Sequence, residues 1–209
     1  MPPKSDRTQA LFTLIAATTV TQLVAIPAQL SWLALLSLVI NIAAFIPSYI
    51  YTSEKYYDFV GMLTYLALVI SGQIFNGAGV YAANWRQLLA SCLVVAWALR
   101  LGLFLFSRTC AHGGRDSRFD KVRSRFWLFL TFWLVQSVWA YLTSLAVLML
   151  QRAPVVPAFA LTDAAGLALF ALGWGLELLA DYQKAVWRKQ KDSQQHDFID
   201  TGLWSWSRQ

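Results

Sequence analysis

Two acidic residues stand one helical turn apart in an otherwise apolar stretch of the sequence. Glu177 and Asp181, in "GWGLELLADYQK", have the i, i+4 spacing that places both carboxylates on one face of a helix. Lys184 follows on the next turn of that face. Two like charges in a membrane helix repel each other unless a cation or hydroxyl donors lie between them. The pattern indicates either an internal salt-bridge cluster that holds helices together, or a polar cleft that accepts hydrogen bonds from ribose or amide groups.

Arg100 is a cation inside a long apolar run, "WALRLGLFLFSR". It lies about seven residues, or roughly 10 Å of helix, from the end of that run. Its side chain either extends to the headgroup layer or needs a buried carboxylate or a bound phosphate. Leaving a charge in hydrocarbon costs ~2.5–3.5 kcal/mol at mid-membrane. We therefore expect Arg100, Glu177 and Asp181 to share one polar cluster. The amides Gln73, Asn76 and Gln136 are expected to bond to other helices.

A basic segment (residues 108–125) contains six of the 17 lysines and arginines. Within it, "RFDKVRSRF" (118–126) alternates cations with Phe119, Val122 and Phe126, which share a face at helical spacing. This pattern predicts a stretch that lies on the membrane surface against anionic headgroups. The segment is interpreted either as a topology anchor alone or as a source of arginines that also contact a phosphate-bearing ligand. "AHGG", just before it, predicts a tight turn.

Motifs for common catalytic chemistry do not occur. The sequence has no HExxH, GxSxG, GxGxxG or GxxxxGK[ST] stretch. "CAH" at 110–112 offers two ligands where zinc needs at least three, so no metal site is predicted. No catalytic residue is assigned.

The composition indicates a membrane protein. Of the 209 residues, 57% are hydrophobic and 13% are charged, whereas soluble domains average roughly 25% charged residues. Too little polar sequence remains for a soluble nucleic-acid-binding domain, so the net charge of +6 is attributed to the bilayer and no nucleic-acid partner is expected.

Apolar runs of ~20 residues are long enough to cross a bilayer as helices. We therefore predict an all-α, polytopic bundle with about six transmembrane helices. The first run is the most polar, and the alternatives there are a surface or re-entrant segment, or a cleaved leader. The predicted spans are 11–28, 30–50, 59–81, 87–107, 126–150 and 159–181.

The basic residues predict the orientation of these spans. If the basic segment faces the cytoplasm, 14 lysines and arginines lie on that side and only Arg86 and Arg152 on the other. This asymmetry places both termini in the cytoplasm. The predicted organisation is a tail (1–10), the bundle (11–181) and a cytoplasmic or interfacial C-terminal segment (182–209). The membrane would be that of the endoplasmic reticulum or another organelle in a eukaryote, or the inner membrane in a bacterium.

From about residue 50 to the end, several stretches together resemble the steroid 5-alpha-reductase-like membrane family, in particular its widespread branch of uncharacterised proteins. They are "EKYYDFVGMLTYL" (54–66), "WALRLGLFLFSR" (97–108), "GGRDSRFDKVR" (113–123), "FWLVQSVW" (132–139), "ELLADYQKAVW" (177–187) and "FIDTGLWSWSR" (198–208). A more distant similarity is to the isoprenylcysteine carboxyl methyltransferases, which bind S-adenosylmethionine.

The resemblance implies a reductase that uses NADPH to reduce a carbon–carbon double bond conjugated to a carbonyl in a steroid or isoprenoid lipid. By the same resemblance, Glu177 and Asp181 would face the ribose or nicotinamide. Arg208 and the basic segment, with Arg108 and Arg118, would face the phosphates. Arg100 and Ser207 complete the expected cofactor-binding set.

In the family, Ser207 and Arg208 open a motif that continues His-Pro-Asn-Tyr-Phe-Gly-Glu, whereas this sequence ends at Gln209. We expect a chain truncated inside the cofactor region. It would bind NADPH weakly and turn over no enone unless a partner completes the site. The alternative function is a non-catalytic membrane subunit or scaffold within a larger complex.

Overall fold

The computed structural model describes residues 7–8, 11–16, 19, 29–75, 84–111, 113–153, 159–190 and 199–206, the side chains of residues 189 and 190 excepted. The chain divides into two compact units, residues 1–156 and 157–209, each of which is described by itself. All regular elements in the described ranges are helices, as the sequence predicted.

Among the described residues, four long helices belong to the first unit and one to the second. These are α1 (Ser31–Ile50), α2 (Tyr57–Phe75), α3 (Trp85–Ala111), α4 (Phe126–Arg152) and α5 (Leu161–Gln190). Short 3-10 helices occur at Ser117–Phe119 and Gly202–Trp206. Within the described ranges, five helices are long and apolar enough to span a bilayer. The protein is therefore an integral, multi-pass membrane protein.

The helix ends differ from the predicted spans in two places. Helix α3 runs to Ala111, so Arg108 lies in its last turn and not in a loop. It stops where Gly114 N–H donates to the Thr109 carbonyl (2.9 Å) and Gly113 N–H to the Cys110 carbonyl (3.1 Å). Both glycines have positive φ, +71° and +77°, which makes this a Schellman-type end and confirms the tight turn.

Helix α5 continues to Gln190, past the predicted boundary at residue 181. Hydropathy locates the end of an apolar run, but a helix also continues through polar residues of good helix propensity. At the other end of the chain, residues 11–16 are helical, and most of the predicted first span (11–28) lies outside the described residues. That span stays a prediction.

Helix α4 is central to the first unit, because it packs against α1, α2 and α3. Its aromatic and aliphatic side chains take part in two buried clusters. The first cluster contains Leu30, Leu33, Ala34, Leu68, Ala140, Tyr141 and Leu148. The second contains Phe45, Val60, Phe119, Phe129 and Trp133.

Polar side chains join α1, α2 and α4 within the apolar bundle. Asn41 Nδ2 donates to Thr64 Oγ1 (3.1 Å), and Gln136 Nε2 donates to Asn41 Oδ1 (2.9 Å). Ser37 Oγ donates to the Ser137 carbonyl oxygen (2.8 Å). Lipid offers these groups no partners, so interhelical bonds satisfy them. The expectation for Gln136 is confirmed, and Asn76 lies outside the described residues.

Helices α2 and α3 approach each other closely at Gly102. A Cβ placed there would lie 2.4 Å from Met62 Cβ and 2.7 Å from Met62 Cγ. These two Met62 atoms lie next to the backbone, so a change of side-chain rotamer does not relieve the clash. The contact therefore requires glycine at position 102.

We expect Gly102→Ala to destabilise the protein by about 1–3 kcal/mol through overpacking. The matched control is Gly173→Ala on α5, because a Cβ there meets no described atom within 4 Å. Thermal unfolding in detergent measures both variants. Equal melting temperatures for G102A and the unsubstituted protein would contradict the close helix contact.

Candidate functional site

The turn between α1 and α2 carries a buried carboxylate, Glu54, whose residue is 2% exposed. Its Oε1 accepts a hydrogen bond from the backbone N–H of Asp116 (2.8 Å). Arg123 Nη2 lies 3.3 Å from the same oxygen and also pairs with Asp120. Glu54 thus binds the basic segment through one main-chain and one side-chain contact.

A second ion pair holds the same segment. Arg118 Nη2 lies 3.1 Å from Asp58 Oδ2, at the start of α2, and 2.6 Å from Asp116 Oδ2. Asp116 also accepts a hydrogen bond from the backbone N–H of Arg118 (2.9 Å), which caps the 3-10 helix. Two carboxylates therefore share one guanidinium.

These contacts move the acid–base equilibria of both partners. Partial burial raises the pKa of the Asp116 carboxyl, but the hydrogen bonds and charge of Arg118, together with the charge of Arg108, hold it below its ordinary value. The hydrogen bond to Asp116 raises the pKa of the Arg118 guanidinium despite its partial burial. The pair is charged at neutral pH.

The apolar side chains of the basic segment face the protein core and not lipid, whereas contact of its cations with anionic headgroups stays a prediction. Phe119 is 1% exposed, and its ring lies 4.8 Å from that of Tyr57 and 5.1 Å from that of Phe132. Val122 and Phe126 pack, partly buried, on the same cluster. The spacing of Phe119, Val122 and Phe126 correctly predicted that they share one apolar face. That face packs against side chains of nearby helices and not against lipid.

The remaining cations of the segment point outward. Arg115, Lys121 and Arg125 are exposed, while Arg108 and the neighbouring Lys55 are half-buried. Within the basic segment, Arg118 and Arg123 pair internally with carboxylates, whereas Arg115 and Lys121 are exposed.

In the second unit, the C-terminal segment folds back on α5. Trp204 Nε1 donates to the Ala180 carbonyl oxygen (3.0 Å), and Leu203 N–H donates to Gln183 Oε1 (2.9 Å). Lys184 Nζ lies 4.4 Å from the centroid of the Trp204 ring. Gly202 has φ +62°, and a Cβ there would lie 2.6 Å from Gln183 Oε1.

The predicted carboxylates lie beside this fold-back. Glu177 and Asp181 are half-buried and one turn apart on α5, close in sequence to Ala180, Gln183 and Lys184. Each takes part in an interaction, as does Lys184. The face is rich in hydrogen-bond acceptors and lies next to an aromatic ring and a cation.

The structure brings some predicted site residues together. Arg108 and Arg118 both act on Asp116 in the first unit. Arg100, also in the first unit, lies with its guanidinium carbon 5.5 Å from the Phe104 ring centroid. Since Glu177 and Asp181 belong to the second unit, their common cluster with Arg100 stays a prediction. Ser207 and Arg208 lie outside the described residues.

Sequence reasoning missed the roles of Glu54, Asp58, Arg123 and Gln183. Glu54 and Asp58 lie in the motif "EKYYDF", and Arg123 lies in the motif "GGRDSRFDKVR". The sequence of one motif does not indicate that it contacts the other. Among the described residues, no group of three or more His, Cys, Asp or Glu side chains is arranged to hold a metal ion.

Residues 44–209 match the model of DUF1295, a family of proteins of unknown function. The chain belongs to the DUF1295 family. No curated protein and no solved structure matches it. Family membership therefore supports a conserved architecture for most of the chain without assigning it an activity.

The buried acceptor of Arg123 should matter more than the exposed one. We expect Glu54→Gln to destabilise the protein by up to the ~3–5 kcal/mol typical of a buried pair that loses one partner. Asp120→Asn is the matched control, because the Asp120 side chain is 58% exposed and exposed pairs contribute ~0–1 kcal/mol. Chemical denaturation of both variants in the same detergent gives the comparison. A larger effect for D120N would show that Glu54 is not the main anchor.

The Asp116–Arg118 pair should make stability depend on pH in acid. Because the folded-state pKa of Asp116 is lowered, its stabilisation is complete above the ordinary Asp pKa of about 4 and is lost as pH falls below it. We expect the melting temperature to fall with acidification, and Asp116→Asn to reduce the steepness of that fall. A D116N profile parallel to that of the unsubstituted protein would contradict this role for the pair.

Proposed function

We propose that this protein is an NADPH-dependent reductase of a carbon–carbon double bond conjugated to a carbonyl group in a membrane lipid, such as a steroid or isoprenoid. We further propose that DUF1295 is a branch of the steroid 5-alpha-reductase-like family. The support is the set of six motifs quoted above and the way in which they pair. An intracellular membrane in eukaryotes, or the inner membrane in bacteria, follows from this proposal.

The observation that carries the proposal is that motifs distant in sequence contact each other. "EKYYDF" binds "GGRDSRFDKVR" through Glu54 with Asp116 and Arg123, and through Asp58 with Arg118. "ELLADYQK" binds "FIDTGLWSWSR" through Gln183 and Ala180. Each pair forms one polar assembly in an otherwise apolar protein, which is the kind of place where a polar cofactor is held.

The chemical character of each assembly, taken by itself, fits one part of a dinucleotide. In the second unit, Glu177 and Asp181 offer carboxylate acceptors for ribose hydroxyls or a carboxamide. In the first unit, Arg108 is a candidate cation for phosphates. The resemblance alone assigns Arg108, Ser207 and Arg208 to a cofactor. Arg118 is shared by two carboxylates, so its proposed contact with phosphate requires one of them to yield. When bound, NADPH supplies a hydride.

A second candidate function is a non-catalytic membrane subunit. One observation favours it: Arg118 and Arg123 are paired with Glu54, Asp58, Asp116 and Asp120, which is the arrangement of a structural lock. Under this alternative the polar assemblies hold helices together, and Glu177 and Asp181 contribute to stability alone.

Direct measurement of NADPH binding distinguishes the two. The protein in lipid nanodiscs is titrated with NADPH up to millimolar concentration, and binding is followed by nicotinamide fluorescence. We expect Glu177→Gln and Asp181→Asn each to weaken binding about tenfold or more, because hydrogen bonds to charged groups contribute ~1.5–3 kcal/mol.

The matched control for these variants is Asp163→Asn. Asp163 is a carboxylate at the opposite end of α5, where it caps the helix by accepting from Ala160 N–H (2.8 Å). The Asp163→Asn substitution should leave NADPH affinity unchanged. Undetectable binding at millimolar NADPH, or equal losses in all three variants, would favour the non-catalytic subunit.

A further inference from the structure

One end of the first unit carries two connections between its helices. The turn between α1 and α2 and the basic segment between α3 and α4 meet there, because Glu54 contacts Asp116 and Arg123. The opposite end is marked by Gln87 Nε2, which donates to the Leu150 carbonyl oxygen near the end of α4 (3.0 Å). Four helices long enough to span a bilayer therefore begin or end beside the two connections. This position places the charged residues of the connections at the level of the lipid headgroups.

Acidic and basic side chains at this end differ in exposure. Three carboxylates that pair with the basic segment have side chains at most 13% exposed: Glu54, Asp58 and Asp116. The more exposed Asp120 is paired with Arg123, which offsets its charge. Arg115 and Lys121 are exposed and take part in none of these ion pairs. The charge that this end presents outward is therefore positive.

A lysine from the other connection joins this surface. The stem of Lys55 lies against Gly114, where an added Cβ would be 3.2 Å from Lys55 Cδ. Gly114 directly precedes Arg115 in the chain. Cations from two separate connections are thus neighbours at one end of the bundle.

Aromatic side chains lie beside the cations. Tyr51 and Tyr56, in the turn between α1 and α2, are both more than half exposed, and Lys55 Nζ lies 5.5 Å from the centroid of the Tyr56 ring. At the start of α4, the guanidinium carbon of Arg7 lies 5.8 Å from the centroid of the Trp127 ring. Tyrosine and tryptophan next to lysine and arginine are typical of the boundary between hydrocarbon and headgroups. A site for a small soluble anion does not require exposed rings, so the surface suits a membrane.

We propose that Arg7, Lys55, Arg115 and Lys121 form a cationic rim that binds the headgroups of anionic phospholipids in the adjacent leaflet. The phosphate oxygens of a headgroup accept hydrogen bonds from these side chains, and a headgroup without a balancing ammonium group is attracted more strongly. The rim contains none of the residues assigned to the proposed cofactor. Failure of the NADPH proposal therefore leaves this one intact, and the reverse is also true.

Photo-crosslinking in nanodiscs measures the lipid preference. The probes are a phosphatidylglycerol and a phosphatidylcholine with the same diazirine, placed on the acyl chain next to the ester. Each is added in trace amount to nanodiscs of phosphatidylcholine. The protein is digested with a protease that cleaves at aromatic residues, so that all variants give the same peptides. Mass spectrometry then gives the ratio of phosphatidylglycerol to phosphatidylcholine labelling over residues 113–127.

We expect a labelling ratio of about fivefold or more at low salt, which is the effect of one lysine or arginine near an anionic headgroup. The ratio should fall toward one in ~1 M salt, where the Debye length is only ~3 Å. Arg115→Gln and Lys121→Gln should each lower the ratio, and the double variant should bring it close to one. Lys121→Arg, which keeps the charge, should retain it.

The matched control is Arg152→Gln, which removes one cation from the other end of α4 and should leave the ratio over residues 113–127 unchanged. A preference that survives in the double variant, or that falls equally in R152Q, would overturn the proposal. A loss of preference in K121R would overturn it as well. So would a loss on adding millimolar inorganic phosphate at constant ionic strength, since the cations would then hold a soluble phosphate ligand and not a lipid.

Discussion

Glu54 is a buried carboxylate at the turn between two membrane helices, and its burial constrains the structure around it. A charge removed from water needs a cation and hydrogen-bond donors nearby. Arg123 and the Asp116 N–H meet this need, and both come from a segment some 60 residues later in the chain. The long basic segment after α3 must therefore return to the α1–α2 turn.

The return of this segment brings its apolar residues into the core. Phe119 can enter the cluster with Tyr57 and Phe129 because the ion pairs on either side fix the 3-10 helix in place. The same cluster receives Phe45 from α1 and Trp133 from α4. The ion pairs of the basic segment and the aromatic packing of Phe119 are thus two parts of one assembly.

Inside the bilayer the same physical rule acts on neutral groups. Asn41, Thr64 and Gln136 have no water to bond with, so they bond across three helices. Gln151 follows the same rule, because its Nε2 donates to the Val69 carbonyl oxygen (3.0 Å) and to Ser91 Oγ (2.9 Å) on two neighbouring helices.

Much of the fold follows from sequence, and the candidate site follows only in part. Hydropathy locates the starts of α1 to α5 within a few residues, because bilayer thickness sets the length of an apolar run. The i, i+4 spacing of Glu177 and Asp181 likewise fixes their common face. Local periodicity does not indicate which residues distant in sequence contact each other. The spacing of Phe119 and its neighbours would be the same whether Phe119 faced lipid or the protein core. The pairing of Glu54 with Arg123 is similarly invisible.

The division of the cations explains why a count of charges does not identify the cations that could bind a ligand. The net charge of the basic segment is the same whether or not its individual cations form ion pairs. Arg118 and Arg123 are matched by four carboxylates, whereas Arg115 and Lys121 are exposed. An anionic ligand responds to the second group first, because binding the first requires breaking existing ion pairs. A phosphate-binding role in this protein is therefore decided by the geometry of individual arginines and not by the net charge of the segment that contains them.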